Sequence, residues 1–252
     1  MGERLTGRDA LKFNRLQSLS EHSYPRNAEQ ERVYNTMISD FFTMDMVWLG
    51  LVWALYFALH SLLAADSCKA AVAARWPLLW QRYRLFYNGV ATLLILPLIA
   101  ATEWRDAVPL WSWHGTWAWV SNTLGALALA GVVWSSRAYD LGEFLGLSPS
   151  RPSQALGLSA VHRFVRHPWY FFGLVWLWTR DMDSARLTAA VVITAYIVIG
   201  SYLEDRKLAR ALGEPYRRYH RQVPGLIPRP WRYLSHSEYD RLRAGESGTK
   251  TV

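Results

Sequence analysis

Residues 46–65 read MVWLGLVWALYFALHSLLAA, a run whose one ionisable ring or charge-bearing side chain besides its single tyrosine is His60. At about 1.5 Å per residue a helix of this length crosses the ~30 Å hydrocarbon core of a bilayer. Further apolar runs follow at about 85–101, 116–134, 168–178 and 187–203. Backbone N–H and C=O groups find no water in lipid, so each spanning segment must satisfy its own hydrogen bonds. The expected fold is therefore an all-α integral-membrane protein. It has about five transmembrane helices, a short helical hairpin in its C-terminal half and an irregular cytoplasmic tail.

The fourth run is too short to cross a bilayer unaided. Either its helix continues backward through SAVHRFV, or it starts below the membrane surface. Only TRDMDSAR joins it to the fifth run, which implies a tight hairpin with Asp183 or Ser184 capping the fifth helix.

The chain holds 14 Trp, many beside these runs, as expected for aromatic belts at a membrane surface. A net charge of +8 raises the question of nucleic acid. However, the basic residues flank apolar runs and form no basic domain, so membrane lipids with anionic headgroups are the expected counter-charge. The lone cysteine, Cys68, excludes an internal disulfide and a cysteine-based metal cluster. His60, His114, His162 and His167 show no metal-ligand spacing, and no metal is expected.

Residues 1–43 form a polar extension, possible disorder or an artefact of start-codon choice included among its readings. Residues 44–136 carry helices 1–3, 137–163 a cytoplasmic loop, 164–234 the hairpin and tail, and 235–252 a flexible C-terminus. Lys69, Arg75, Arg82 and Arg84 follow helix 1, while Arg137, Arg151, Arg163 and Arg166 follow helix 3. The tail is also rich in arginine. Positive residues stay on the cytoplasmic side, so the expected topology is N-out and C-in, in a bacterial inner membrane.

Two polar motifs interrupt this pattern. In FVRHPWYFFGLVWLW, Pro168 suits the first position of a helix, where its missing N–H costs nothing. His167 then falls at the N-cap, with Arg166 just before it. Free N–H groups and the positive end of the helix dipole make this an anion site. The plainer reading is a lipid-phosphate contact with a capping histidine.

The second motif is SYLEDRKLARALGEPYRRYHRQVPGLIPRP, residues 201–230. Glu204 and Asp205 sit where the fifth helix leaves the bilayer, and such carboxylates call for a partner. Lys207 is the local candidate. The helix is expected to stop near Gly213, and the segment holding Tyr216, Tyr219 and His220 can fold back as a lid. Both motifs lie at one side of the membrane. A zwitterionic amino acid fits between them, its carboxylate toward Arg166 and His167 and its ammonium toward Glu204.

VRHPWYFFG resembles the Arg-His-Pro-x-Tyr motif of the integral-membrane methyltransferases, a group that includes isoprenylcysteine carboxyl methyltransferase and phospholipid methyltransferases. EDRKLARALGEPYRRYHRQVPGLIP resembles their second motif. Together the two cover roughly residues 160–230. ALHSLLAA and YRLFYN look more like methanethiol S-methyltransferase and NnrU-type relatives. The resemblance implies S-adenosylmethionine as cofactor, bound by His167, Pro168, Tyr170, Glu204 and Tyr216, with Arg166 and His167 in the catalytic role. It implies a small thiol or a lipidic, isoprenoid acceptor. The sequence departs from the family pattern at Phe172, where a glycine is usual, at Asp205, where a second Glu is usual, and at VIGSY, which lacks the arginine of the carboxyl methyltransferases.

Methyl transfer from a sulfonium is an in-line displacement, so the protein chiefly aligns its reactants and excludes water. A nearby positive charge would favour a thiolate. His60 is a candidate for the acceptor channel, or for a polar contact between helices. Two other functions stay open. One is an NADPH-dependent, sterol-reductase-like enzyme in which Arg217, Arg218 and Arg221 hold a 2′-phosphate. The other is a non-enzymatic NnrU-like membrane protein.

Overall fold

A computed structural model describes residues 44–104, 107–137, 139–148 and 158–243. The polar extension 1–43, the loop segment containing Arg151 and the last residues of the tail lie outside the described residues.

The elements in order are α1 (Met44–Ala64), α2 (Asp66–Arg75), α3 (Pro77–Trp80), α4 (Tyr83–Glu103), β1 (Pro109–Trp111), α5 (Gly115–Ser136) and α6 (Leu141–Leu145). A 3-10 turn (Ala160–Arg163) follows, then α7 (Pro168–Trp178), β2 (Met182–Asp183), α8 (Ser184–Leu212), α9 (Glu214–Gln222) and α10 (His236–Arg243). Helices α1, α4, α5 and α8 are long and apolar enough to cross a membrane. The protein is an all-α integral-membrane protein with these four long helices and α7 as a short fifth. Large apolar side chains such as Leu55, Leu93, Leu127 and Val198 point outward from the bundle. In water such a surface would drive association, whereas in lipid it is at home. Exposed Trp48, Trp104, Trp117 and Trp119 ring one end of the bundle, and Trp76, Trp80 and Trp134 the other, where indoles favour the interface.

Helix α7 does not continue backward through SAVHRFV. Residues 164–167 separate it from the 3-10 turn, and Pro168 opens it with His167 at the N-cap. Its 11 residues extend only about 17 Å. It packs antiparallel to α5, whose inward stripe is Ser121, Gly125, Ala128, Gly131 and Ser135, all buried. Small residues let backbones approach closely, which is how helices associate when lipid removes the hydrophobic incentive. A Cβ on Gly131 would sit 2.5 Å from the ring of Phe172.

The turn between α7 and α8 is tight. Asp183 caps α8 by accepting from Arg186 N at 2.7 Å. β2 pairs antiparallel with β1, Pro109 opposite Asp183 and Trp111 opposite Met182. Arg186 meets Glu103 at 2.6 Å on the same end. Helix α8 is longer than its apolar run. It passes through the acidic pair and stops at Gly213, whose φ of 66° suits a residue without a Cβ.

At the other end, Arg84 bonds the Glu143 carbonyl at 2.6 Å, Asn88 the Phe144 carbonyl at 3.0 Å, and Lys207 reaches Asp66 at 2.9 Å. The segment after α1, the segment after α5 and the C-terminal segment therefore share one end of the bundle. The tail is less irregular than expected. α9 and α10 are helical, and Tyr239, within the segment expected to be flexible, is buried with Leu158, Tyr216, Tyr219, Val223 and Leu234.

Candidate active site

Four chain segments converge at that end: the loop after α5, the N-terminus of α7, the last turns of α8, and the tail. The tail holds the Arg-His-Pro segment by its backbone. Arg166 N donates to the Pro224 carbonyl at 2.9 Å and His167 N to the Gly225 carbonyl at 3.1 Å. A side chain on Gly225 would crowd the Arg166 guanidinium, 3.2 Å from its ideal Cβ.

Asp205 is the hub. Its Oδ1 accepts from Arg166 Nε at 3.1 Å, His167 Nε2 at 3.0 Å and the Tyr216 hydroxyl at 2.5 Å. Its Oδ2 accepts from Arg166 Nη2 at 2.5 Å, and His220 Nε2 stands 3.5 Å away. Arg166 Nη1 donates to the carbonyls of His220 and Val223. The guanidinium and the carboxylate thus neutralise one another in a buried, bidentate pair. Burial first, and then the hydrogen bond to Asp205 and its charge, push the Tyr216 phenol well above its ordinary range. It remains a neutral donor.

Glu204 is one step along α8 and therefore ~100° around the helix. Its side chain is 46% exposed, and Oε2 lies 3.6 Å from His167 Nδ1. The Tyr170 ring stacks on His167 at 5.4 Å, beside this contact. Lys207, the expected local partner of Glu204, turns to Asp66 instead. His167 lies between the two carboxylates, one closed and one half-open. Pro168 is fully buried at the start of α7.

Sequence reasoning had not singled out Tyr139, Trp169 or the structural part of His162. His162 Nδ1 accepts from Ser159 N at 3.0 Å and Nε2 meets the Tyr139 hydroxyl at 3.2 Å. Its carbonyl accepts from the Tyr219 hydroxyl at 2.8 Å. Burial, with His167 adding to it, pushes the His162 imidazole down to about 4. Burial and then the Glu204 charge push the Tyr139 phenol up to about 12. The Trp169 ring packs on Tyr139 and Phe144, and its buried Nε1–H has no hydrogen-bond partner among the described residues.

Arg217, Arg218 and Arg221 lie exposed on the face of α9 opposite buried Tyr216 and Tyr219. Arg221 and Arg218 pair with Glu214 at 2.8 and 3.7 Å. They do not line the clamp formed by Arg166, His167, Glu204 and Asp205, which removes the reason to place a 2′-phosphate there. Among the described residues no group of three or more His, Cys, Asp and Glu side chains could hold a metal ion.

The bundle thus carries a closed ion pair and a half-open carboxylate at one end, and its class follows from the proteins it is similar to. The chain is 30% identical over 197 residues to methanethiol S-methyltransferase 2 of Bradyrhizobium diazoefficiens, covering 71% of each chain. It is 29% identical over 213 residues to methanethiol S-methyltransferase of Mycobacterium tuberculosis, covering 75% of this chain and 79% of the relative. A Pseudomonas methanethiol S-methyltransferase is 29% identical over 200 residues, covering 71% of this chain and 72% of the relative. No family model matches the chain, and no solved structure matches it. The protein is an integral-membrane methyltransferase. It belongs to the methanethiol S-methyltransferase family.

Proposed function

We propose that the protein methylates a small thiol with S-adenosylmethionine as donor, and that the donor's amino-acid end binds where His167, Tyr170 and Glu204 meet. Glu204 carries the reading. It is an anionic side chain, half-open to solvent, beside a buried arginine whose charge Asp205 already cancels. An ammonium group is the natural partner for such a carboxylate. The similar proteins are methanethiol S-methyltransferases, so methanethiol is the acceptor their names give.

The residues present fit the donor, with a shift of roles from the sequence expectation. Arg166 is committed to Asp205 and the tail carbonyls, so it fixes the shape of the site and does not stand free for a carboxylate. The orphan Trp169 Nε1–H, beside Tyr139, is a buried donor able to take an acceptor atom of a ligand. When bound, S-adenosylmethionine supplies an already activated methyl group. The chain's own work is then to bind, orient and exclude water. His167 is held by Asp205 on one side and faces Glu204 on the other. Tyr216 locks Asp205 from the tail.

We place this end of the bundle in the cytoplasm of a bacterial inner membrane, because the arginine-rich segments gather there. A C-terminal reporter fusion active only in the cytoplasm tests that orientation. Calorimetry on protein in nanodiscs tests the site. Wild type is expected to bind S-adenosylmethionine, and His167→Ala and Glu204→Ala to weaken it. Unchanged affinity in both variants would sink the assignment.

A further inference from the structure

A second polar cluster lies deeper in the bundle, between α1, α4 and α8. The Tyr87 hydroxyl is 2.7 Å from His60 Nε2. The Ser61 hydroxyl is 3.4 Å from that of Tyr196, whose ring stacks on Phe57 at 4.0 Å. Tyr56 lies beside His60, their ring centroids 5.9 Å apart. The Tyr196 ring also meets His60 edge-on, their centroids 6.2 Å apart, and Tyr196 is carried by α8. It precedes Glu204 on α8 by eight residues, a rise of about 12 Å. Hydroxyl and imidazole groups therefore lead from the clamp into the membrane. His60, Tyr87 and Tyr196 are each only half-buried, so this cluster is reached from the lipid side.

A polar cluster among membrane helices is costly, and one helix–helix hydrogen bond would have served to join α1 and α4. Here a single imidazole meets one phenol among three, and Tyr, His and Ser at this depth carry no formal charge. An uncharged thiol is the acceptor class such a site can receive. It is protonated at neutral pH, and the thiolate is its nucleophilic form.

Resting on the function proposed above, we infer that Tyr87 and His60 take the acceptor thiol's proton, acting as a two-member relay during methyl transfer. The S–H bond breaks and its proton goes to the Tyr87 oxygen, while the Tyr87 O–H proton passes to His60 Nε2. The electron pair left on the acceptor sulfur forms the new S–CH3 bond. The sulfonium sulfur of the donor keeps the pair of the bond that breaks. The donor's positive charge disappears as the imidazolium charge forms, so the net charge of the site does not change. That balance allows proton transfer in a medium that penalises new charge. The imidazolium later releases its proton to water as product leaves.

The test compares a thiol with a selenol, which is already ionised at neutral pH and needs no base. Wild type, His60→Gln and Tyr87→Phe are placed in nanodiscs and given methanethiol or methaneselenol. General-base loss predicts kcat with the thiol lower by about 100-fold in both variants, and with the selenol by no more than about threefold. S-adenosylmethionine affinity, read by calorimetry, stays at the wild-type value and reports an intact fold. Ethanethiol binding to donor-free protein, also by calorimetry, weakens in Tyr87→Phe. Equal losses with thiol and selenol, or no loss with either, overturn the relay while leaving the donor site standing. A wild type that fails to bind donor or to methylate a thiol overturns the proposed function, and the relay with it.

Discussion

Arg166 and Asp205 meet edge to edge, Nε on Oδ1 at 3.1 Å and Nη2 on Oδ2 at 2.5 Å. Their side chains are 8% and 10% exposed. Two planar groups with this geometry satisfy both charge and direction. The tail completes the arrangement through Tyr216 and the carbonyls of His220 and Val223. The Arg-His-Pro segment is thereby fastened to α8 and to the tail at once. His167, next in sequence, gets its orientation from the same carboxylate.

Breaking that pair from one side leaves an uncompensated buried charge. Arg166→Met and Asp205→Leu are each expected to destabilise the protein by about 3–5 kcal/mol. The double variant should lose less than the sum, with a coupling of about 1 kcal/mol or more. Unfolding in mixed detergent micelles measures all three. Simple additivity would show that the two side chains do not act as a pair.

Glu204 should behave differently, because it is half-open and makes no part of the buried pair. Glu204→Gln is expected to change stability by less than about 0.5 kcal/mol. Donor affinity should fall about tenfold or more, the worth of a hydrogen bond to a charged group. Paired melting curves and calorimetry separate the two effects. A stability loss equal to that of Asp205→Leu, with affinity intact, would assign Glu204 to the scaffold.

Much of the fold was legible because lipid leaves the chain few options. The apolar runs at 46–65, 85–101 and 116–134 became α1, α4 and α5 with ends moved by about two residues. Pro168 marked the start of α7, Asp183 capped α8, and Gly213 ended it. The site was legible as a meeting of two motifs, since the short hairpin forces residues 166–167 and 204–205 to one end. The division of labour between Glu204 and Asp205 was not legible. Adjacent helical residues face different ways, and only the packing of α8 against the tail selects which one turns inward. Tyr139, Trp169 and His60's neighbours reach their positions through contacts between segments far apart in the chain, which no local pattern records.

His162 sets a pH dependence for the loop–tail contact. It is buried, neutral, and held by Ser159 and Tyr139, with its imidazole pushed down to about 4. In the unfolded chain the same group titrates near 6.5. Between those values the unfolded state binds the extra proton, so stability falls as pH drops from about 6.5 to 4 and is flat above. The span of about 2.5 pH units corresponds to a loss on the order of 3 kcal/mol. His162→Gln should flatten that limb of a stability–pH curve measured in nanodiscs. An unchanged slope would mean that other groups titrate there.

The seam between α5 and α7 offers the sharpest steric test. Gly131 lets Phe172 lie where a methyl group would stand, since an added Cβ comes within 2.6 Å of three ring carbons. Nothing lies within 4 Å of the equivalent position on Gly173, one residue from Phe172 on α7 itself. Gly131→Val must push the ring or the helix aside, and overpacking of this kind costs about 1–3 kcal/mol. Gly173→Ala meets open space and is expected to be neutral or slightly stabilising, through better helix propensity. Because α7 carries His167 at its first turn, displacing it should also weaken donor binding in Gly131→Val and not in Gly173→Ala. Melting temperature and donor affinity measured on the two variants decide the matter. Equal behaviour would mean that α7 is free to slide on α5, and that the clamp, not the seam, holds His167 in place.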